Sequence, residues 1–85
     1  MLFRSIEVQV ECVLKNLRDI LKEAGTDLSG IVRTTIYLKD LSNFSLVNKV
    51  YGSFFNEPYP ARVTIGVNDL PLGADIEIDA IAVLS

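Results

Sequence analysis

The chain contains no histidine and no tryptophan, and it has a single cysteine. Without histidine there is no Ser–His–Asp triad, no Cys–His pair and no histidine-based metal site. The lone Cys12 excludes an internal disulfide, and a reducing cytosol is the simplest compartment. Cys12 also sits among polar neighbours on a predicted helix, which reads as an inert thiol rather than a nucleophile. Basic charge is scarce: eight Lys and Arg stand against eleven Asp and Glu, for a net charge of −3. That balance gives no support to nucleic acid as the main partner, since such a surface needs a basic face. Long hydrophobic runs are missing, so no segment is expected to span a membrane. The opening "MLFRSIEVQVE" lacks the apolar core and small-residue cleavage site of a signal peptide. No linker, repeat, low-complexity tract or glycine-rich phosphate loop occurs; "GVNDLPLG" lacks the lysine and the spacing of a P-loop.

Apolar residues are what the chain has in quantity, at 49% against 22% charged. This composition excludes a disordered chain and exceeds what a monomer of this size can bury. Eighty-five residues make one domain, 1–85, and small domains often gain stability by association.

Apolar residues from Val10 through Leu14, Leu17, Ile20 and Leu21 to Ala24 recur at three- and four-residue steps. They predict a helix over 6–24, with Ser5 as its cap and Gly25 as its left-handed stop. "IVRTTIYL", residues 31–38, predicts a strand buried on both faces apart from Arg33 and the threonines. Asp40 to Asn43 opens a second helix, whose apolar face runs from Phe44 through Val47 and Tyr51 to Phe54 and Phe55. "NEPYP" breaks that helix. Strands follow at 61–67 and 75–84, joined by the turn residues of "NDLPLGA". The order is helix, strand, helix, strand, strand. The central strand–helix–strand unit implies a parallel crossover. Helices then cover one face of the sheet, and a partner subunit is expected on the other. Leu17, Ile36, Val47 and Phe54 are expected in the core.

Two charges interrupt the apolar pattern of "PARVTIGVNDLPLGADIEID": Arg62 and Glu77. By alternation, Arg62 shares a strand face with Thr64 and Gly66, and Glu77 shares one with Asp75 and Asp79. Whether the two strands are neighbours is open at this level. One reading is an ion pair at a strand edge or a subunit interface. The other is a site: an arginine fork that grips a carboxylate, with a second carboxylate that orients water or acts as a base. The alternating acids Asp75, Glu77 and Asp79 also admit a cation site, though a solvated strand face explains them more simply.

"YPARVTIGVNDLPLGADIEIDAIAV" resembles the C-terminal signature of the YjgF/RidA family of imine and enamine deaminases. "VLKNLRDILKEAG" is similar to that family's first helix, and "IVRTTIYLKDLSNFSLVNKVYGSFF" to its next strand and helix. The likeness runs from about Ile6 to Val83. It implies a chorismate-mutase-like α+β fold and homotrimers with sites between subunits. It also implies hydrolysis of 2-imino or enamine acids to 2-oxo acids and ammonia, with no metal or organic cofactor. By position, Arg62 would bind the substrate carboxylate and Glu77 would serve the water. Asn48, Tyr51 and Thr64 would bind substrate in the cleft, with Thr64 standing where the family often has a cysteine. The family's three preceding strands, with a tyrosine and a serine–glycine pair that help close the site, have no equivalent in this sequence. "MLFRS" does not resemble the strand end expected there, which points to Met1 not being the biological start. A non-catalytic carboxylate-binding or scaffold oligomer of the same fold is the alternative.

Overall fold

Helix formation begins where the sequence supplies a cap and an apolar stripe together. The structure, a computed structural model, describes residues 5–84; the "MLFR" part of the start-site expectation lies outside them. Helix α1 spans Ile6–Glu23, with Ser5 Oγ accepting the Val8 amide at 3.3 Å. It ends on Gly25, whose φ of 89° is left-handed. There the Thr26 amide donates to Leu21 O (2.9 Å) and the Gly25 amide to Lys22 O (3.1 Å). This paired closure satisfies carbonyls the helix would otherwise leave open.

Strand β1 covers Ile31–Leu38, α2 Phe44–Ser53, β2 Ala61–Gly66 and β3 Ile76–Ala82, with short 3-10 turns at Leu28–Gly30, Leu41–Asn43 and Pro71–Gly73. Asp27 and Asp40 cap the first two turns. Each carboxylate accepts the amide and the hydroxyl of the serine two residues on, Ser29 or Ser42. These bonds favour the charged form and hold both carboxyls below the ordinary carboxylate range.

The sheet order is β2–β1–β3, with β1 parallel to β2 and antiparallel to β3. A parallel neighbour requires a long crossover, and α2 supplies it. Paired residues share a face. Thr34, Ile36 and Leu38 therefore line up with Arg62, Thr64 and Gly66 on one side and with Ala80, Ile78 and Ile76 on the other. This is the face that α1 and α2 cover. Val10, Leu14, Thr34, Ile36, Leu38 and Val47 are fully buried there. The expected α+β architecture, two helices on one face of a mixed sheet, is the one found.

Three expectations need correction. Strand β1 is not buried on both faces: Thr34 is fully buried while Val32 is 49% exposed. An irregularity between Ile31 and Arg33 turns Ile31 inward and Val32 out, and strict alternation then sends Thr34 to the helices. Ile20, at the margin of the α1 stripe, is 65% exposed. Leu17 and Phe54 pack against the core but are only half-buried, unlike Ile36 and Val47.

Candidate functional site

Three residues of α2, Phe44, Asn48 and Tyr51, follow helical spacing and face the edge strand β2. Arg62 of β2 points at them because it shares the helix-covered face with Thr34. Its guanidinium carbon lies 5.3 Å from the centre of the Phe44 ring and 5.1 Å from that of Tyr51. Both distances fall within cation–π range. Nη1 donates to Asn48 Oδ1.

Below this, Tyr51 Oη and Thr34 Oγ1 share a buried hydrogen bond of 2.7 Å. The Tyr51 ring also lies against Phe55, 4.6 Å between centroids. The phenol is thus fixed at its hydroxyl and along its ring, and it in turn fixes one side of the arginine.

A cleft of about 420 Å³ opens over the assembly, walled by Asn48, Tyr51, Gly52, Tyr59, Pro60 and Arg62. A guanidinium has five N–H donors. Among the described residues this one donates a hydrogen bond to Asn48 alone. Its remaining donors suit a planar anion entering the cleft, and a carboxylate matches the fork.

The structure brings Arg62, Asn48 and Tyr51 together. Thr64 lies two residues along on the same face, half-buried and paired with Ile36, but it is not in the cleft wall. Glu77 is elsewhere. It pairs with Tyr37 on the open face of the sheet, opposite to Arg62. Arg62 belongs to the row Arg62–Thr34–Ala80 and Glu77 to the row Ile65–Tyr37–Glu77. The two are separated by two strand spacings, roughly 10 Å, and by three residues along the strands, roughly 10 Å more. Within one chain they form neither an ion pair nor a joint site.

Glu77 is exposed, and its neighbour Asp79 accepts a hydrogen bond from Tyr37 Oη at 3.1 Å. That bond, then the charge of Asp79, raises the Tyr37 pKa above its ordinary value. Asp75 lies off the strand and accepts from Gln9 Nε2 at 2.9 Å. The three alternating acids therefore have separate surroundings. Among the described residues no three Cys, Asp or Glu side chains are grouped to hold a metal ion.

Five contributors escaped the sequence reading: Thr34, Phe44, Gly52, Tyr59 and Pro60. Phe44 was legible as apolar, but not as a platform for a cation. Thr34 carried a usable signal, since a hydroxyl in phase with Ile36 and Leu38 must find a buried partner.

The same order of elements occurs in known proteins. The family model described as Endoribonuclease L-PSP matches residues 2–84. The chain is 52% identical over 80 residues to the chloroplastic Reactive Intermediate Deaminase A of Arabidopsis thaliana, a match covering 94% of this chain and 43% of that protein. It is 44% identical over 70 residues to the human 2-iminobutanoate/2-iminopropanoate deaminase, covering 82% of this chain and 51% of that one. The crystal structure of E. coli TdcF with bound serine superposes with a TM-score of 0.92 at 34% identity, over 100% of this chain and 69% of that one. The chain thus spans about half the length of these two curated relatives. Together with the shared fold, these matches show that the chain belongs to the Endoribonuclease L-PSP family, the family of the RidA-type deaminases.

Proposed function

We propose that this chain carries the carboxylate-binding half of a 2-imino acid deaminase site. The observation that carries this reading is Arg62, held between Phe44, Tyr51 and Asn48 with donors left over at the mouth of a cleft. An imino acid presents one carboxylate and one electrophilic carbon, C2. Arg62 takes the carboxylate through two parallel hydrogen bonds and so fixes where C2 sits. Water adds to C2, its protons pass to the nitrogen, and the C–N bond breaks. The balance is R–C(=NH)–COO⁻ + H₂O → R–CO–COO⁻ + NH₃, which consumes no cofactor. Relatives named as deaminases of reactive intermediates and of 2-iminobutanoate support this chemistry, and the serine bound to TdcF supports a small carboxylate as ligand.

Glu77 is the proposed base or water-orienting group. Because it faces away from Arg62 in its own chain, the Glu77 that meets a given Arg62 comes from another copy. A homotrimer with its sites between subunits satisfies this requirement. The open face has the surface for it: Val63, Ile65, Ile81 and Val83 are each more than 40% exposed there. No helix among the described residues is long and apolar enough to cross a membrane. We assign the reaction to the cytoplasm on the strength of the single cysteine.

The opposed placement of Arg62 and Glu77 equally favours a second reading, an oligomer that binds small carboxylates without turning them over. Freshly generated 2-iminobutanoate separates the two. Ammonia release above the spontaneous rate, with 2-oxobutanoate as coproduct, supports the deaminase. Binding of 2-oxobutanoate without turnover supports the binder. Failure of both removes Arg62 from the role given to it.

A further inference from the structure

A second hollow, of about 320 Å³, lies on the other side of the 56–60 segment, with Pro60 common to its wall and to that of the cleft. Its roof is the C-terminal half of α1, which contributes Arg18 and Lys22. These are one turn apart, so their side chains leave the helix on the same side. Its floor includes Ile31, Phe54 and Phe55, the first and last of them in the buried core. The size is within the range of small-molecule sites, and the lining is of their kind, apolar with a few convergent polar groups.

Four charged residues line this hollow, the cations Arg18 and Lys22 and the carboxylates Asp27 and Glu57, and they are unevenly engaged. Asp27 spends Oδ1 on the Ser29 amide and hydroxyl. Arg18 Nε is buried and makes no hydrogen bond among the described residues. Neither Arg18 nor Lys22 forms an ion pair there. A buried donor without a partner is uncommon in folded proteins. Nε itself is closed to solvent, so a carboxylate in the hollow meets the guanidinium through its terminal nitrogens, and Lys22 adds a second positive charge.

We propose that this hollow is a second binding site, taking a small monocarboxylate with an aromatic or branched apolar group. The carboxylate meets Arg18 and Lys22, and the apolar group lies on Phe54, Phe55 and Ile31. The site is separate from the cleft at Arg62 and does not depend on the deaminase reading.

Benzoate is a suitable probe, added to the full chain while amide proton and nitrogen shifts are followed by NMR. Saturable shifts are expected at Ser29, Ile31 and Phe55 with a Kd of about 1 mM. They should persist in Arg62→Ala, weaken at least about tenfold in Arg18→Gln, and weaken less in Lys22→Gln. A thermal melt shows whether Arg18→Gln is folded; if it is not, Lys22→Gln decides the question. Four results overturn the proposal: no saturable shift at these amides, unchanged affinity in a folded Arg18→Gln or in the Lys22→Gln that replaces it, loss of the shifts in Arg62→Ala, or inorganic phosphate binding as tightly as benzoate. The last would mean a bare anion site with no use for its apolar floor.

Discussion

Thr34 and Tyr37 are near neighbours on β1, and each carries a hydroxyl that finds a partner, but on opposite faces of the sheet. Thr34 bonds Tyr51 in a setting closed to water, at 2.7 Å. Tyr37 bonds Asp79 at 3.1 Å in an exposed one. The helix-covered face turns a single hydroxyl pair into a rigid support for a cation. The open face surrounds the same kind of group with solvent, charges and unpacked Val63, Ile65 and Ile81. Alternation along three strands is enough to give one sheet these two environments. Positioning is therefore concentrated on one side, and on the other the residues form an open surface.

The largest expected effect tests the packing difference. Leu14 is fully buried and Ile81 is 61% exposed. Leu14→Ala should cost about 2–5 kcal/mol in urea denaturation. Ile81→Ala should stay within about 0.5 kcal/mol at concentrations where the chain is monomeric. If subunits cover the open face, the cost of Ile81→Ala grows with protein concentration, and sedimentation equilibrium shows the weakened association. Leu17→Ala, at a half-buried position, should fall between the two.

Next in size is the buried hydroxyl pair. Thr34→Val leaves Tyr51 Oη without a partner in a dry setting and should cost about 1–3 kcal/mol. Tyr51→Phe does the same to Thr34. Because the penalty is that of an orphaned group, the double variant should be more stable than the sum of the singles implies. Simple additivity in that cycle would show that the bond is not coupled. Carboxylate binding adds a readout that packing alone does not predict. Loosening Tyr51 should weaken 2-oxobutanoate binding through Arg62, without touching the guanidinium.

Most of the frame was legible because both helices have an apolar stripe and clear stop signals. Ser5, Gly25 and the "NEPYP" break mark ends that the chain then uses, whereas Asp40 caps the 3-10 turn ahead of α2. The strand–helix–strand unit fixed β1 beside β2 in parallel. What could not be read was where β3 would lie. A strand joined to β2 by a short turn could have paired with β2; it pairs instead with the far edge of β1. That choice sets Glu77 on the face opposite Arg62, and single-strand alternation cannot reveal it. The support beneath Arg62 was hidden for a similar reason. Phe44 and Tyr51 come from α2 and Thr34 from β1, and they meet beneath Arg62 only through the register Arg62↔Thr34.

A third pair of variants tests whether the two faces act together in chemistry. Arg62→Lys keeps the charge but loses the fork. It should raise KM about tenfold, corresponding to about 1.4 kcal/mol, with a smaller change in kcat. Glu77→Gln should lower kcat and leave 2-oxobutanoate binding nearly unchanged. Mixing Arg62→Ala and Glu77→Gln chains should give more turnover than either alone if a site draws its two residues from different copies. No recovery from a mixture shown to exchange subunits would remove Glu77 from the site.

The smallest effects are electrostatic, and they lie at opposite ends of the pH scale. Tyr37 has its pKa raised, first by the hydrogen bond to Asp79 and then by that carboxylate's charge. A raised folded value means that its contribution is complete below the unfolded tyrosine pKa of about 10 and disappears as pH climbs through the folded value. Asp27 and Asp40 have theirs lowered, first by the serine hydroxyls and then by the serine amides. Their contributions are complete above the unfolded aspartate value of about 3.9 and are lost as pH falls through the folded ones. Stability should thus decline with pH at the alkaline end through Tyr37 and at the acid end through the two caps. All three groups are exposed to solvent, so added salt should shrink the charge-driven part of the alkaline effect. Tyr37→Phe should flatten the alkaline limb and leave the acid limb alone; Ser42→Ala should do the reverse. If Tyr37→Phe instead changes stability equally at every pH, the ring matters for packing on the open face, and its bond to Asp79 does not.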